Sequence, residues 1–311
     1  AADSSQFRDL IIKKDGHHAI LAGMDQSKVV KMQKVGIWAL SNLCRGKPKP
    51  EYHLLKSAVP IFAKALADHK EDDVVLRDAI WALSSLSEGA ENQIQDLVDT
   101  GVVPELIKLL DHPSLSIVIS CLRIIGNIAY GNNEQTQVLL SDANLVSVLI
   151  KFSQHENKSI QREALWTLSN IAAGSPEQIE LVISSAYNIQ TIIKAINSDA
   201  TEVSREGLCV LANACAHGTK QQVQRLVNEG VIECFGAKLD SSDVKTILVI
   251  LEGLQNIVIN GVEESVISNP YVQEIVEIGL LQKIEALKQH ENNQINQKAS
   301  QIMELCGIEV E

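Results

Sequence analysis

Apolar residues recur along this chain every three or four positions, which is the spacing of one face of an α-helix. In residues 159–174 the apolar positions on one such face are Leu165, Leu168, Ile171 and Ala172. Gly174 is predicted to end this helix and Ser175-Pro176 to begin a second one, because these residue types favour helix C- and N-termini respectively. A break at 186–188 then leads into another helix over 189–196.

The same order of elements recurs in other parts of the chain. Residues 94–110 contain a helix break at Gly101 and Pro104, and residues 223–239 contain one at Gly230. The pattern therefore predicts a unit made of a short helix, a second helix and a long third helix.

One polar residue type keeps a constant phase within the long third helices. Gaps of 85, 43, 43 and 43 residues separate Asn42, Asn127, Asn170, Asn213 and Asn256. Ser85 divides the first gap into 43 and 42 residues. A period of this length is typical of armadillo repeats, whereas tetratricopeptide and ankyrin repeats have periods near 33–34 residues. The chain is therefore predicted to be all-α, a right-handed superhelical solenoid of three-helix armadillo repeats. Residues 1–311 would form a single domain of about seven repeats.

The phased positions predict a groove. The residues four positions before each asparagine or its equivalent are Trp38, Trp81, Arg123, Trp166, Cys209 and Glu252. Residues four apart share a helix face. The acidic residues three positions before Trp81, Trp166 and Cys209 lie on that face as well, and they are Asp78, Glu163 and Glu206. An asparagine amide can hold the backbone of an extended peptide, and a tryptophan ring beside a carboxylate favours a lysine or arginine side chain. The predicted ligand is an extended basic peptide, although a purely structural asparagine ladder is an alternative.

Composition narrows the classes of partner and site. The net charge is −12 and no long basic run is present, which argues against nucleic-acid binding. The most apolar stretch, 247–259, is too short to span a membrane. Neither the six cysteines nor the eight histidines have metal-ligand spacing, so the cysteines are interpreted as reduced core residues. The pair His17-His18 is interpreted as a solvated turn, and no metal or cofactor is expected.

Catalytic motifs are also missing from the sequence. The chain contains no phosphate-binding glycine loop with its lysine and no nucleophile elbow. The segment GKPKP (residues 46–50) contains Gly-Lys but not the preceding glycine and strand, so it is interpreted as a solvated loop. An enzyme is therefore not expected.

Several segments together resemble the importin-α (karyopherin-α) family of armadillo-repeat adaptors. They are IWALSNLCRGKPKPEY (37–52), IWALSSLSEG (80–89), LRIIGNIAYGNNEQTQ (122–137), REALWTLSNIAAG (162–174), REGLCVLANACAHG (205–218) and KIEALKQHEN (283–292). They are similar to the family's fourth to eighth and tenth repeats. DSSQFRD (residues 3–9) is similar to the loop before the fourth repeat. About six extra residues precede the final helix, which is predicted over 296–305.

The resemblance implies a nuclear import adaptor that binds basic nuclear localisation signals. Only the end of the family's major site would remain, with Trp38 and Asn42 and with Arg45 nearby, and the fifth repeat would supply Asp78, Trp81 and Ser85. The complete minor site would consist of Arg123, Asn127, Tyr130, Asn133, Thr136, Glu163, Trp166, Ser169, Asn170, Glu206 and Asn213.

Three departures from the family pattern are expected to matter. Cys209 replaces tryptophan, Asn133 replaces aspartate and Ser85 replaces tyrosine. A cation–π contact is worth about 0.5–2 kcal/mol, so the loss of one aromatic wall would weaken peptide binding roughly tenfold. The minor site is therefore predicted to function with reduced affinity.

The resemblance also implies partners and a localisation. The implied partners are basic signal peptides of cargo proteins, importin-β through an N-terminal segment outside this chain, and a nuclear export receptor at the C-terminal repeats. The implied localisation is shuttling between cytoplasm and nucleus, with no nucleic acid and no membrane involved. The alternative is a catenin-like armadillo scaffold, whose lysine- and arginine-lined groove binds a different extended peptide.

Overall fold

The computed structural model describes residues 4–27, 29–262 and 269–307. By their internal contacts the residues divide into two compact units, 1–145 and 146–311, and each is presented by itself. The described residues are helical with short connections and contain no strand. None of their helices is long and apolar enough to cross a membrane. The single domain over residues 1–311 stays a prediction.

The first unit contains ten α-helices in its described residues. They are α1 (Ser5–Lys13), α2 (Gly16–Gln26), α3 (Val30–Leu43), α4 (Tyr52–Leu55), α5 (Val59–Asp68), α6 (Asp73–Ser87), α7 (Glu91–Val98), α8 (Val103–Lys108), α9 (Leu115–Ala129) and α10 (Asn133–Leu140). Two 3₁₀ turns, Lys56–Ala58 and Leu109–Asp111, extend the short helices. The long helices α3, α6 and α9 pack side by side.

The second unit contains eleven α-helices in its described residues. They are α11 (Leu145–Phe152), whose first residue falls at the boundary, α12 (Lys158–Ala172), α13 (Pro176–Val182), α14 (Ala186–Ile196), α15 (Thr201–His217), α16 (Lys220–Asn228), α17 (Val231–Lys238), α18 (Val244–Asn260), α19 (Pro270–Glu277), α20 (Leu280–Ala286) and α21 (Asn293–Leu305). A 3₁₀ turn, Leu287–Gln289, follows α20. The long helices α12, α15, α18 and α21 pack in this order.

The structure confirms the three-helix unit. Each long third helix follows a shorter pair, and the breaks predicted at Gly101 and Gly230 fall between the members of a pair, whereas Pro104 lies in the first turn of α8. Gly101 separates α7 from α8 with φ +71°, and Gly230 separates α16 from α17 with φ +86°. Both glycines occupy the left-handed region that side chains disfavour, which explains why glycine marks these turns.

Several local predictions were wrong. Residues 186–188 are the first turn of α14 rather than a break, because the Ser185 hydroxyl accepts from the Asn188 amide and caps the helix there. Ser5–Lys13 is a helix rather than a loop, while Asp3 lies outside the described residues. The final helix begins at Asn293 because Asn292 caps it, and residues 263–268 before it lie outside the described set.

The histidine pair and the cysteines also lie in helices. His17 belongs to α2 and is only 2% exposed, so the interpretation of a solvated turn was wrong for this residue. Four cysteines are buried, as expected, whereas Cys209 and Cys306 are half-buried, and all six are free thiols.

A recurring buried glutamine fixes the start of the first helix in three successive repeats. Asn132 with Gln135, Ser175 with Gln178 and Thr219 with Gln222 each form a reciprocal capping box. In each box the glutamine Oε1 accepts a hydrogen bond from the backbone amide of the N-cap residue, which would otherwise lack a partner. A Cβ on Gly131 or Gly174 would collide with the capping Oε1 and displace it, so a side chain at either position would disrupt the cap.

The same glutamine also joins neighbouring repeats. The Gln135 Nε2 donates to the Glu91 carbonyl at 3.0 Å, and the Gln222 Nε2 donates to the Pro176 carbonyl at 2.8 Å. Gln135 is 1% exposed, so its amide makes these bonds to the protein rather than to water. One side chain therefore satisfies backbone groups of two helices, 44 residues apart in the case of Gln135 and Glu91.

We expect Gln135→Leu to lower the free energy of unfolding by about 1–3 kcal/mol, because it removes the capping bond to the Asn132 amide and the Nε2 bond that joins α10 to the Glu91 carbonyl of α7. Chemical denaturation of the two proteins measures this difference. Gln273→Ala is the control, since this exposed glutamine bonds only to Glu277 one turn along its own helix, and we expect a change within about 0.5 kcal/mol. Equal effects of the two substitutions would contradict the bridging role of Gln135.

Candidate functional site

In the first unit, the predicted site residues of α3 are unequally accessible. Trp38 is 57% exposed, so its ring is available to a ligand. Asn42 is only 9% exposed, and its Nδ2 donates to the Trp38 carbonyl in the same helix at 2.9 Å. One amide N–H and the Oδ1 of Asn42 are not used by that bond.

The predicted slot at Trp81 already contains a cation from the same chain. The guanidinium carbon of Arg45 lies 4.1 Å from the centroid of the Trp81 ring. The Arg45 Nη2 also lies 3.5 Å from the Asp78 Oδ1. Burial raises the pKa of Asp78, and the charges of Arg45 and then Arg77 oppose that shift. Sequence phase identified Asp78 and Trp81 but gave no signal that Arg45 would reach them.

The asparagine of α9 bonds to the preceding repeat. The Asn127 Nδ2 donates to the Ser87 Oγ at 2.8 Å and to the Ser84 carbonyl at 3.4 Å, both in α6. Asn127 is only 7% exposed. Its amide therefore holds α9 against α6, which is the structural alternative considered for the ladder. Ser85, at the equivalent position in α6, is half-buried.

The remaining predicted residues of the first unit differ in accessibility. Arg123 is half-buried, Tyr130 is 70% exposed and Asn133 is exposed. Thr136 is 3% exposed, and its hydroxyl lies within hydrogen-bond distance of the Ala129 and Asn132 carbonyls. The structure therefore places Thr136 in the packing between α9 and α10, where a peptide cannot reach its hydroxyl.

In the second unit, two polar bridges align α12 with α15. Near their N-terminal ends the Arg162 Nη1 donates to the Glu202 Oε2 at 2.9 Å. Near their C-terminal ends the Asn213 Nδ2 donates to the Ser169 carbonyl at 2.9 Å. Trp166 lies between the two bridges along α12, and is half-buried.

Two carboxylates near the first bridge differ in their partners. Glu163 is 4% exposed and accepts from the Arg162 Nη2 at 2.6 Å. Glu206 is half-buried, and no hydrogen bond or ion pair to it forms among the residues that the structure describes. Burial raises the pKa of Glu206, Arg205 and Arg162 oppose the shift, and Glu163 and Glu202 add to it. Glu206 therefore lacks a direct countercharge.

The neighbouring side chains set the limits of this part of the groove. Ser169 is 3% exposed and donates to the Trp166 carbonyl at 2.8 Å, so its hydroxyl is turned back into α12. Asn170 and Asn213 are half-buried. Burial, with smaller effects of nearby charges, raises the pKa of Cys209 to about 12, so this thiol is neutral at pH 7.

The ladder continues on α18. The Asn256 Nδ2 donates to the Glu252 carbonyl one turn back at 2.9 Å, as Asn42 does to Trp38. Glu252 is exposed and lies 3.8 Å from the Lys298 Nζ of α21. The phased face is therefore acidic here as well, but a lysine of the next third helix partly neutralises it.

One group outside the third helices has residues of metal-ligand type. Potential ligand atoms of Asp15, His17 and His18 lie within 4.8 Å of one another at the start of α2. The His17 Nδ1 is buried without a hydrogen-bond partner among the described residues, and burial lowers the pKa of this imidazole. This group forms no part of the third-helix face.

Comparisons with known proteins agree with the architecture. The family model "Armadillo/beta-catenin-like repeat" matches residues 90–130 and 132–173, and "Atypical Arm repeat" matches 269–305. Importin subunit alpha-1b of Oryza sativa subsp. japonica is 36% identical over 315 residues, covering 100% of this chain and 58% of the relative. Importin subunit alpha-B of Dictyostelium discoideum is 48% identical over 276 residues, covering 88% of this chain and 53% of the relative.

Solved structures agree as well. A designed armadillo repeat protein in complex with peptide (KR)4 is 29% identical with a TM-score of 0.71, covering 80% of this chain and 99% of that one. An engineered protein at 24% identity, with a TM-score of 0.83, covers 96% of this chain and 70% of its own length and supports the fold alone.

The chain is therefore an armadillo-repeat protein. Within that class its homologues are the importin α subunits, which it matches along its whole length. It spans about half the length of these curated relatives, 58% of the Oryza protein and 53% of the Dictyostelium protein.

We expect Glu206→Gln to raise the Tm at pH 7 by about 1–2 °C. The pKa of this group is raised on folding, so its stabilising contribution is present below the ordinary glutamate pKa and is lost as pH rises through the folded value. The gain should therefore shrink as pH falls towards about 4. Thermal melts across this range test the prediction, with Glu202→Gln as control because it removes the bridge to Arg162 and should not stabilise. A lower Tm for Glu206→Gln at pH 7 would contradict it.

Proposed function

We propose that this chain binds basic, extended peptides of the nuclear-localisation-signal type along its third helices and so acts as a nuclear import adaptor. The observation that carries the proposal is Glu206, a half-buried carboxylate without a direct partner among the described residues. A cationic side chain beside Glu206 would supply the countercharge that the fold leaves out. The homologous importin α subunits and the designed armadillo protein in complex with (KR)4 support this choice of ligand.

The roles of the groove residues follow from their chemistry. Glu206 and Glu163 attract the charged tip of a lysine or arginine, and Trp166 contacts the methylene stem of that side chain. Asn170 and Asn213 hold the peptide backbone. Asn213 can hold it while bonded to Ser169, because a carboxamide has two N–H donors and one acceptor oxygen.

In our proposal the predicted residues of each unit form a peptide-binding surface of that unit. Those of the first unit are Trp38, Asn42, Asp78, Trp81, Ser85, Arg123, Asn127, Tyr130 and Asn133. Trp38 and Tyr130 offer the most accessible aromatic surface of this set. Asn42 retains one N–H and its Oδ1 for a ligand, whereas the two bonds that Asn127 donates to α6 leave only its Oδ1.

The wider function rests on the homologues. We propose that the protein shuttles between cytoplasm and nucleus and bridges its cargo to importin-β through a segment outside this chain. The C-terminal repeats would contact a nuclear export receptor. An adaptor of this kind needs no cofactor, catalysis, nucleic acid or membrane for its activity.

A catenin-like scaffold for an acidic peptide is the second candidate. It is favoured by the cations of the first unit, where Arg45 and Arg77 line one pocket with Trp81. The second unit does not support it, since Glu206 and its neighbours would repel an acidic ligand. An acidic peptide of equal length therefore discriminates between the two candidates.

We expect the native chain to bind fluorescein-labelled (KR)4 with a Kd in the micromolar range and to bind (DE)4 far more weakly. Glu206→Gln should weaken (KR)4 binding about tenfold, because one charge-assisted contact in a partly buried site is worth roughly 1.5 kcal/mol. Added salt should weaken binding further. Fluorescence anisotropy provides the measurement.

The control for that titration is Glu233→Gln, which removes one negative charge at an exposed position of α17. It should change the Kd by less than about twofold, because an exposed charge is screened. Preferential binding of (DE)4 would favour the catenin-like scaffold, and binding of neither peptide would contradict the proposed function.

A second binding prediction concerns the position equivalent to Trp166. We expect Cys209→Trp to tighten (KR)4 binding by about three- to tenfold, because an indole ring adds a cation–π surface where a neutral thiol offers none. The same anisotropy titration measures the change. The prediction of a weakened but functional site fails if this substitution leaves the Kd unchanged while Glu163→Ala also has no effect.

A further inference from the structure

The cation slot at Trp81 has a cavity and a resident cation, both within the first unit. The cavity has a volume of about 370 Å³ and is lined by residues of α6 and α9 together with Arg45. The Arg45 guanidinium covers the Trp81 ring at 4.1 Å and lies 3.5 Å from the Asp78 carboxylate. These are the two contacts that a bound lysine or arginine would make with a tryptophan and a carboxylate of the groove.

The backbone of Arg45 is held independently of its side chain. The Nη1 of Arg8, a side chain that is 1% exposed, donates at 2.8 Å to the carbonyls of both Arg45 and Pro48. The loop after α3 is thereby anchored to α1. A fixed starting point limits the conformational entropy that Arg45 loses when it stacks on Trp81. The Arg45 Nε is buried without a hydrogen-bond partner in the described residues, so the ring and Asp78 define its position.

The charge around this slot differs from that around Glu206. Arg77 lines the same cavity as Arg45, while Asp78 is its one acidic residue among the described lining residues. Asp78 is already paired with Arg45, so a second cation entering the slot would meet two arginines and no unpaired carboxylate. Like charges at short range in a partly buried site repel strongly. Lys49 of the same loop lies 3.5 Å from the Ser85 carbonyl, but its charge is paired with the Glu88 carboxylate and so adds little to the repulsion in the slot.

We propose that Arg45 is a specificity-determining residue that fills the Trp81 slot from within the chain. A bound peptide must then pass α6 with a residue that is not basic, although α6 carries the same Trp and carboxylate phase as the basic-peptide sites. This inference rests on the proposed peptide-binding function. It predicts that removal of Arg45 opens an additional cation site, whereas removal of a groove cation that is not stacked on Trp81 does not.

The first arm of the test uses no peptide. In a Trp38→Phe, Trp166→Phe background, the fluorescence of the chain comes from Trp81 alone, because the chain has three tryptophans. Arg45→Ala should increase acrylamide quenching of Trp81 about twofold, as one ring face becomes accessible to the quencher. Arg77→Ala is the matched control: it removes an arginine from the same cavity, but its Nε is bonded to the Asp73 carbonyl. Equal quenching in the two variants would overturn the stacking of Arg45.

The second arm measures the affinity for (KR)4 with the native tryptophans in place. Arg45→Ala should lower the Kd by about three- to tenfold relative to Arg77→Ala, which reports the general effect of removing one positive charge. The Arg8 bonds use the Arg45 carbonyl, so the fold should persist in Arg45→Ala, and a single cooperative thermal transition verifies this. Equal affinities of the two variants, or weaker binding by Arg45→Ala, would overturn the proposal.

The two arms separate this inference from the proposed function. If the native chain does not bind (KR)4 but Arg45→Ala does, the proposed function of the native groove fails and the closure of the slot is supported. If neither protein binds (KR)4, the proposed function and the inference about Arg45 both fail as statements about peptide recognition. This holds even where the quenching arm shows a stacked Arg45. If both bind and Glu206→Gln weakens each equally, the added affinity of Arg45→Ala comes from a separate slot, as proposed.

Discussion

Buried side-chain amides that bond to two chain segments at once hold successive repeats in register, and the phased third helices depend on this register. Gln135 accepts the N-cap amide of its own helix and donates to the Glu91 carbonyl of the preceding repeat. Gln222 does the same with Pro176. Apolar burial holds the helices together but resists sliding weakly, because it is non-directional. A buried hydrogen bond has one productive geometry, so it fixes the relative position of neighbouring repeats.

The asparagine ladder belongs partly to this system and partly to the groove. Asn127 and Asn213 donate to the preceding third helix, which supports the structural interpretation of the phased amides. Asn42 and Asn256 instead donate to the carbonyl one turn back in their own helix. At Asn42, Asn213 and Asn256 the bond leaves one N–H and the Oδ1 unused, so structural and ligand-binding roles are compatible in a single carboxamide, whereas the two bonds of Asn127 leave only its Oδ1.

Periodicity made part of this structure predictable from the sequence, whereas features that depend on loop geometry could not be predicted. The 43-residue phase was sufficient for the three-helix unit and the long third helices. The capping glutamines also had a signal, since a glycine precedes each by four residues, at 131 and 135 for example, but their polarity suggested exposure. No signal in the sequence indicated that Arg45 stacks on Trp81, because a buried Arg8 on α1 fixes the loop that brings Arg45 to that ring.

Positions that are equivalent in phase differ in chemistry because their surroundings differ. Asp78, Glu163 and Glu206 each stand three residues before a tryptophan or its equivalent, yet Asp78 is paired with Arg45 and Glu163 with Arg162. Glu206 has no such arginine bonded to it among the described residues, and burial makes its charge costly to the fold. A carboxylate that lowers stability when ionised and gains most from an external cation is suited to binding rather than to folding. Under the proposed function, recognition is decided by which carboxylates the chain leaves unpaired, and the repeat period alone does not reveal them.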